Sequence, residues 1–192
     1  MKIKIIKTLA LIGILPILII FGFLTLYLPQ TSSEHVEIKN EKFLYLSSNG
    51  NVFCFGPERI YSMSDDELLQ GSCCDEMVLH RYEEQIEGLK KYSHISAIPS
   101  DPYNISVNQA KELLNFDKNI VLTPLEQETY NEAMKMSDEG GPCCCMCWRW
   151  YVYEGLAKYL IREYKFNAQQ VAEVWNLSDG CGGEGHATGV HA

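Results

Sequence analysis

Eight cysteines stand in this chain, and four of them lie in one pentapeptide, Cys143-Cys144-Cys145-Met146-Cys147. The run contains two C-x-C pairs (Cys143 with Cys145, Cys145 with Cys147) and one C-x-x-C (Cys144 with Cys147). Close-spaced thiols can bring several sulfurs to one soft ion, and soft thiolate and thioether ligands suit Cu(I) and Zn. Pro142 precedes the run, and a helical pattern follows it. A thiolate at a helix N-terminus feels the positive end of the dipole, which lowers its pKa and makes it a better ligand and a more available nucleophile. On a regular helix Cys143 and Cys147 share a face while Cys144 and Cys145 point elsewhere. All four therefore converge only if the first turn is not regular helix.

Further ligands are expected from the tail. In Cys181-Gly182-Gly183-Glu184-Gly185-His186 the glycines let the chain fold tightly over a site, and His191 follows. Met146 offers a thioether, which favours Cu(I), whereas Zn takes thiolates and imidazoles. Cys73, Cys74 and His80 form a secondary source. The metal set read from the sequence is therefore Cys143, Cys144, Cys145, Cys147, Cys181 and His186, with Cys73, Cys74, Met146 and His191 as additions and copper or zinc as the ion.

Two other chemistries stay open. As a thiol–disulfide oxidoreductase, Cys144 would attack from the helix N-terminus and Cys147 would resolve, although the strand–helix alternation expected around a thioredoxin-like C-x-x-C is missing. Outside the cytoplasm an even number of cysteines also reads as disulfides. Each bridge contributes ~2–4 kcal/mol, against ~10–16 kcal/mol of apparent folding energy for a closed zinc–thiolate site. No C-x-x-C-H, phosphate loop, zincin motif or nucleophile elbow is present, so the balance lies with binding over catalysis. Trp148, Trp150, Tyr151 and Tyr153 surround Arg149 just after the run. They read either as aromatic core or as a wall around the site, with Arg149 lowering nearby thiol pKa values.

The elements that must position these thiols begin with an anchor. From Thr8 to Pro29 there is no charged residue, and about 20 apolar residues span a hydrocarbon core of ~30 Å. A cleaved signal peptide has a shorter apolar core and a small-x-small site, which Leu26-Tyr27-Leu28-Pro29-Gln30 lacks. No cysteine follows closely enough for lipidation. Lys2, Lys4 and Lys7 precede the span, so the N-terminus is expected in the cytoplasm and the remainder outside. The division is residues 1–7 cytoplasmic, 8–29 in the lipid bilayer, 30–42 a polar stalk and 43–192 a cysteine-rich domain: a single-pass protein of the cell membrane. The net charge is −9, the first 30 residues carry +3, and the rest therefore carries −12. That acidity excludes a nucleic-acid surface, which would be basic. A metal-donor or metal-acceptor protein is the partner that metal binding would require.

The fold class is mainly α with a β-hairpin. Phe43–Leu46 and Val52–Phe55 flank Asn49-Gly50, a hairpin signal. Ser64 with Glu67 reads as a capping box for a short helix, and apolar spacing predicts a helix from Cys74 to about Tyr92. Residues 93–103 read as loop. Ser106 with Gln109 opens a helix, and Thr123-Pro124-Leu125-Glu126 starts another that ends near Ser137. The next is expected to begin inside Cys143–Cys147 and run to about Lys165. A last helix is capped by Asn167 with Gln170, and the tail from Ser178 is irregular. Asn104-Ile-Ser106 and Asn176-Leu-Ser178 are glycosylation triplets.

The stretch Pro142-Cys143-Cys144-Cys145-Met146-Cys147 resembles the Pro-Cys-Tyr-Cys-Gly-Cys-Gly proteins, which are exported and membrane-attached. Their alternate cysteines correspond to Cys143, Cys145 and Cys147. The chain differs at Cys144, Met146 and Trp148 and has no lipidation cysteine. The resemblance covers six residues and implies an exported cysteine site, with no reaction attached.

Overall fold

The computed structural model describes residues 32–183. The expected cytoplasmic segment at 1–7, the anchor at 8–29 and both tail histidines lie outside that range. Among the described residues no helix is long and apolar enough to cross a membrane. The chain divides into two compact units, Met1–Lys39 and Asn40–Ala192, and all the packing below belongs to the second.

The described part is mainly helical. In order come α1 (Ser32–Ser48), α2 (Glu58–Ser62), β1 (Leu68–Gln70), α3 (Leu79–Leu89), a 3-10 turn (Lys90–Tyr92), β2 (Asn104–Ser106), α4 (Val107–Asn119), α5 (Pro124–Met136), α6 (Trp148–Tyr164) and α7 (Ala168–Leu177). The two strands pair antiparallel, with Leu69 opposite Ile105.

Helix starts written in side-chain chemistry are where the sequence places them. Ser106 accepts a hydrogen bond from the Gln109 amide at the head of α4, and Thr123 and Asn167 form complete capping boxes with Glu126 and Gln170. Each box satisfies amide donors that a helix start leaves without an intrahelical partner. α5 ends with Ser137 as its C-cap.

Three expected elements are corrected. The hairpin does not form: Phe43–Leu46 belongs to α1, and the strands lie at 68–70 and 104–106. A four-residue apolar run fits a helix turn as well as a strand. Here Leu46 packs into a small core with Met77, Tyr82 and Tyr103, flanked by Phe43. Asn49 then closes the helix by donating from its side chain to the Tyr45 carbonyl at 2.9 Å. Ser64 and Glu67 do bond, Ser64 N–H to Glu67 Oε1 at 2.6 Å, but they close a turn into β1 because Val107 N–H captures the Glu67 carbonyl at 3.0 Å. The helix expected from Cys74 starts only at Leu79. The Cys74 and Asp75 amides both donate to the Cys181 carbonyl, at 3.1 and 2.8 Å, which commits that segment to the tail instead of to a helix.

α6 is the centre of the domain. Val152, Leu156, Ala157 and Leu160 are buried against Ala110, Leu113 and Leu114 of α4 in the main core, the most extensive helix pair among the described residues. Gly155 permits it: a Cβ there would lie 1.9 Å from the Leu113 carbonyl oxygen. At the edge of this contact the Phe116 and Tyr159 rings stack with centroids 4.3 Å apart, and Lys158 bridges Asp117 and Glu154 at 2.6 and 2.9 Å. α7 packs on α5, with Trp175 edge-on to Tyr130. The N-terminal end of α6 points into the loops that carry the cysteines.

Candidate metal centre

The run Cys143–Cys147 is not the first turn of α6. Cys147 is its N-cap, in extended conformation, and the helix begins at Trp148. The expectation of a helix starting inside the run is therefore corrected, and the irregular backbone is what allows all four thiols to converge.

Four loops meet there. Trp148 N–H donates to the Phe55 carbonyl at 2.8 Å, which ties the loop carrying Cys54 to the head of α6. The strand-like segment Cys73–Glu76 pairs with the tail: Cys73 N–H donates to the Gly180 carbonyl at 3.1 Å, and Gly183 N–H donates to the Glu76 carbonyl at 2.8 Å. Gly182 has φ +86°, and a Cβ on it would lie 2.2 Å from the Asp75 carbonyl oxygen. Only glycine fits that approach, as the expectation of a tightly folded tail requires.

Arg149 holds the loops together from beneath. It is fully buried, and it donates to the Pro102 carbonyl at 2.6 Å, to the Gly71 carbonyl at 3.0 Å and through Nε to Cys73 Sγ at 2.9 Å. Gly180 leaves room for it, since a Cβ there would sit 2.2 Å from an Arg149 guanidinium nitrogen. The aromatic residues after the run divide: Trp148 and Tyr153 are buried in the core, while Trp150 and Tyr151 are half-buried against it. Phe55 stacks on Trp148 at 5.9 Å.

All eight thiols are free. Their sulfurs form a continuous chain of contacts: Cys54 to Cys74 at 3.3 Å, Cys74 to Cys144 at 3.6 Å, Cys144 to Cys181 at 3.0 Å, and Cys181 to Cys143 at 3.3 Å. Cys54 also meets Cys145 at 3.5 Å. These separations are longer than a disulfide bond of ~2.05 Å. They are about 0.2–0.8 Å shorter than the edge of about 3.8 Å that four sulfurs adopt around an ion with ~2.3 Å bonds. A small opening of the cluster would admit an ion.

The cluster runs from surface to core. Cys54, Cys74 and Cys144 are exposed, Cys73 and Cys145 are intermediate, and Cys143, Cys147 and Cys181 are buried. An open cleft of about 580 Å³ lined by Cys73, Cys74, Asp75 and Glu76 reaches its outer side, so a cation would meet carboxylates on its way in.

Crowding of thiols sets their protonation. Hydrogen bonds from Cys147, then Cys181, bring Cys143 down to about 6. The same contacts with Cys143 push Cys147 and Cys181 up. Burial pushes Cys74 up to about 12 and also raises Cys54 and Cys144. For Cys73 the hydrogen bond with Cys147 and then burial outweigh the lowering effect of Arg149, and its thiol is raised. Arg149 does act on Cys73 in the expected, lowering direction, but the other two effects are larger. A bound cation would favour the thiolate form of the sulfurs that ligate it, against the burial and thiol hydrogen bonds that raise most of them here.

The structure thus brings together Cys143, Cys144, Cys145, Cys147 and Cys181, with Cys73 and Cys74. Met146 is 66% exposed, and His80 is exposed. His186 and His191 lie outside the described residues. Cys54 is the site residue that sequence reasoning missed. It sits alone between two phenylalanines, and its only signal was the even count of cysteines. No family model, curated protein or solved structure matches the chain.

Proposed function

We propose that this is a soft-metal binding or delivery protein, taking Cu(I) or Zn, held at the cell membrane by residues 8–29 with its cysteine domain outside the cytoplasm. The observation that carries the metal reading is the convergence of eight free thiols from four loops, six of them joined by sulfur contacts of 3.0–3.6 Å. The gradient from exposed Cys54 and Cys74 to buried Cys143 and Cys147 suits uptake from, or transfer to, a partner protein at the outer sulfurs. The membrane reading is supported by the uncharged run from Thr8 to Pro29 and the lysines before it.

The geometry speaks against an oxidoreductase built on Cys144 and Cys147. Cys144 is exposed but has a raised pKa, Cys147 is buried with a raised pKa, and the one acidified thiol, Cys143, is only 2% exposed. An attacking thiol needs both thiolate character and access.

The test is metal content and a free-thiol count on the full chain, purified anaerobically in detergent without chelator. Bound Cu or Zn with masked thiols, diminished in a Cys143→Ser, Cys147→Ser double variant, is the expected result. No metal, with every thiol either titratable or consumed in disulfides, would sink the reading. A reporter enzyme active only outside the cytoplasm, fused after Ala192, checks the orientation: activity is expected, and its absence overturns the outward placement.

A further inference from the structure

Three sets of thiols each lie with their sulfurs within 4.8 Å of one another: Cys54, Cys74 and Cys145; Cys74, Cys144 and Cys181; and Cys143, Cys145 and Cys147. The sets are not independent. Cys74 stands in the first and second, and Cys145 stands in the first and third, so seven cysteines fill nine ligand positions. Cys143 and Cys181, at 3.3 Å, join the second set to the third. The triads therefore close into a ring of sulfurs.

Resting on the soft-metal reading above, we infer that the site is polynuclear: it holds three Cu(I) ions, one per triad, with the Cys74 and Cys145 thiolates each bridging two ions. A thiolate sulfur keeps lone pairs after binding one ion and can bind a second. A full d shell imposes no preferred geometry, and a singly charged soft ion is satisfied by three sulfurs. Zn takes four ligands in structural sites. Three Zn ions would need twelve ligand positions, more than eight thiols with two of them shared can fill. The triads thus favour Cu(I) on the number of donors as well as on their softness. Cys73, the eighth thiol, stands outside the triads and is held by Arg149 at 2.9 Å. The guanidinium supplies positive charge beside a cluster in which seven thiolates exceed three monovalent cations.

Sharing makes the loss on mutation unequal. Cys54 belongs to one triad and Cys74 to two, and both are exposed, so serine at either position should leave the fold intact. The full chain in detergent is reduced anaerobically and titrated with Cu(I) as its acetonitrile complex against a chromogenic Cu(I) chelator. The wild type is expected to bind about three equivalents, C54S about two, C74S about one, and the C54S/C74S double variant no fewer than C74S alone. X-ray absorption of the loaded wild type should show an all-sulfur shell and a Cu···Cu scattering peak. C145S, which removes the other shared thiol, should also retain about one equivalent, and it replaces C74S if circular dichroism shows that variant to be unfolded.

A single tight equivalent with masked thiols, or equal and additive losses in C54S and C74S, would overturn the polynuclear assignment and leave the soft-metal reading standing. Failure to bind Cu(I) or Zn at all, with all thiols reactive, would overturn both.

Discussion

The two ends of α6 are built on different principles. From Val152 onward the helix packs on α4 through apolar side chains, a glycine contact and a stacked ring pair. Regular hydrogen bonding and burial suffice there, so that half needs no ligand. At its N-terminal end, Cys147 caps it without a side-chain hydrogen bond. The surrounding loops are joined by isolated backbone contacts, one buried arginine and thiols that meet in weak hydrogen bonds without disulfides. The difference teaches that the helical half is a platform whose stability is its own, while the cysteine half draws its order from Arg149 and, under the proposed function, from a bound ion.

Metal removal should separate the halves most strongly. On the full chain loaded with Cu(I), addition of a high-affinity chelator is expected to speed amide exchange in 71–78 and 143–147 by an amount worth several kcal/mol. Amides of α4 and α6 beyond Val152 should be unmoved. Equal acceleration in both halves, read by hydrogen-exchange mass spectrometry, would erase the distinction.

Arg149→Ala comes next. It leaves the Gly71 and Pro102 carbonyls without their buried donor, at a cost of about 1–3 kcal/mol for each unsatisfied group. Urea unfolding of the metal-free protein should show it. Arg149→Lys should recover only part, because one ammonium cannot reproduce the planar fork that spans two carbonyls and a sulfur.

The platform is probed by Gly155→Ala. Overpacking against the Leu113 carbonyl is expected to cost about 1–3 kcal/mol while leaving Cu(I) stoichiometry unchanged. A variant that loses metal in proportion to stability would couple the halves more tightly than their packing suggests.

Smaller still is Thr123→Ala, which removes the cap of α5 at a cost of about 1 kcal/mol, measurable as a lowered unfolding temperature. The same box contains a pH-dependent element. Hydrogen bonds from Arg162 and then the Thr123 backbone hold the Glu126 carboxyl down to about 2. Its unfolded value is near ~4.3, so the contribution is complete above that value and is lost as pH falls toward 2. Glu126→Gln should therefore flatten the acid limb of stability between those limits, and an unchanged limb would show the ion pair with Arg162 to be too solvated to matter.

Much of the platform was legible in the sequence because its signals are local. Ser106, Thr123 and Asn167 each satisfy an amide three residues away, and the 3.6-residue spacing of apolar groups in α7 needs no distant partner to be recognised. The misread elements failed for the opposite reason. Whether Phe43–Leu46 is helix or strand depends on Met77, Tyr82 and Tyr103. The start of α3 depends on a carbonyl more than a hundred residues away, at Cys181.

The sequence by itself determined that thiol chemistry dominates this chain, that Cys143–Cys147 with Cys181 is its centre, that the described part is mainly helical, and that its charge is acidic. Those follow from residue type and short-range spacing. Only the tertiary structure decided that Cys54 and Cys74 join the same cluster, that Cys147 ends a loop and does not open inside a helix, and that Cys74 and Cys145 each stand in two triads. Those facts rest on loops brought together by Arg149 and by glycines at 180 and 182. Contacts between residues far apart in the chain leave no periodic trace along it.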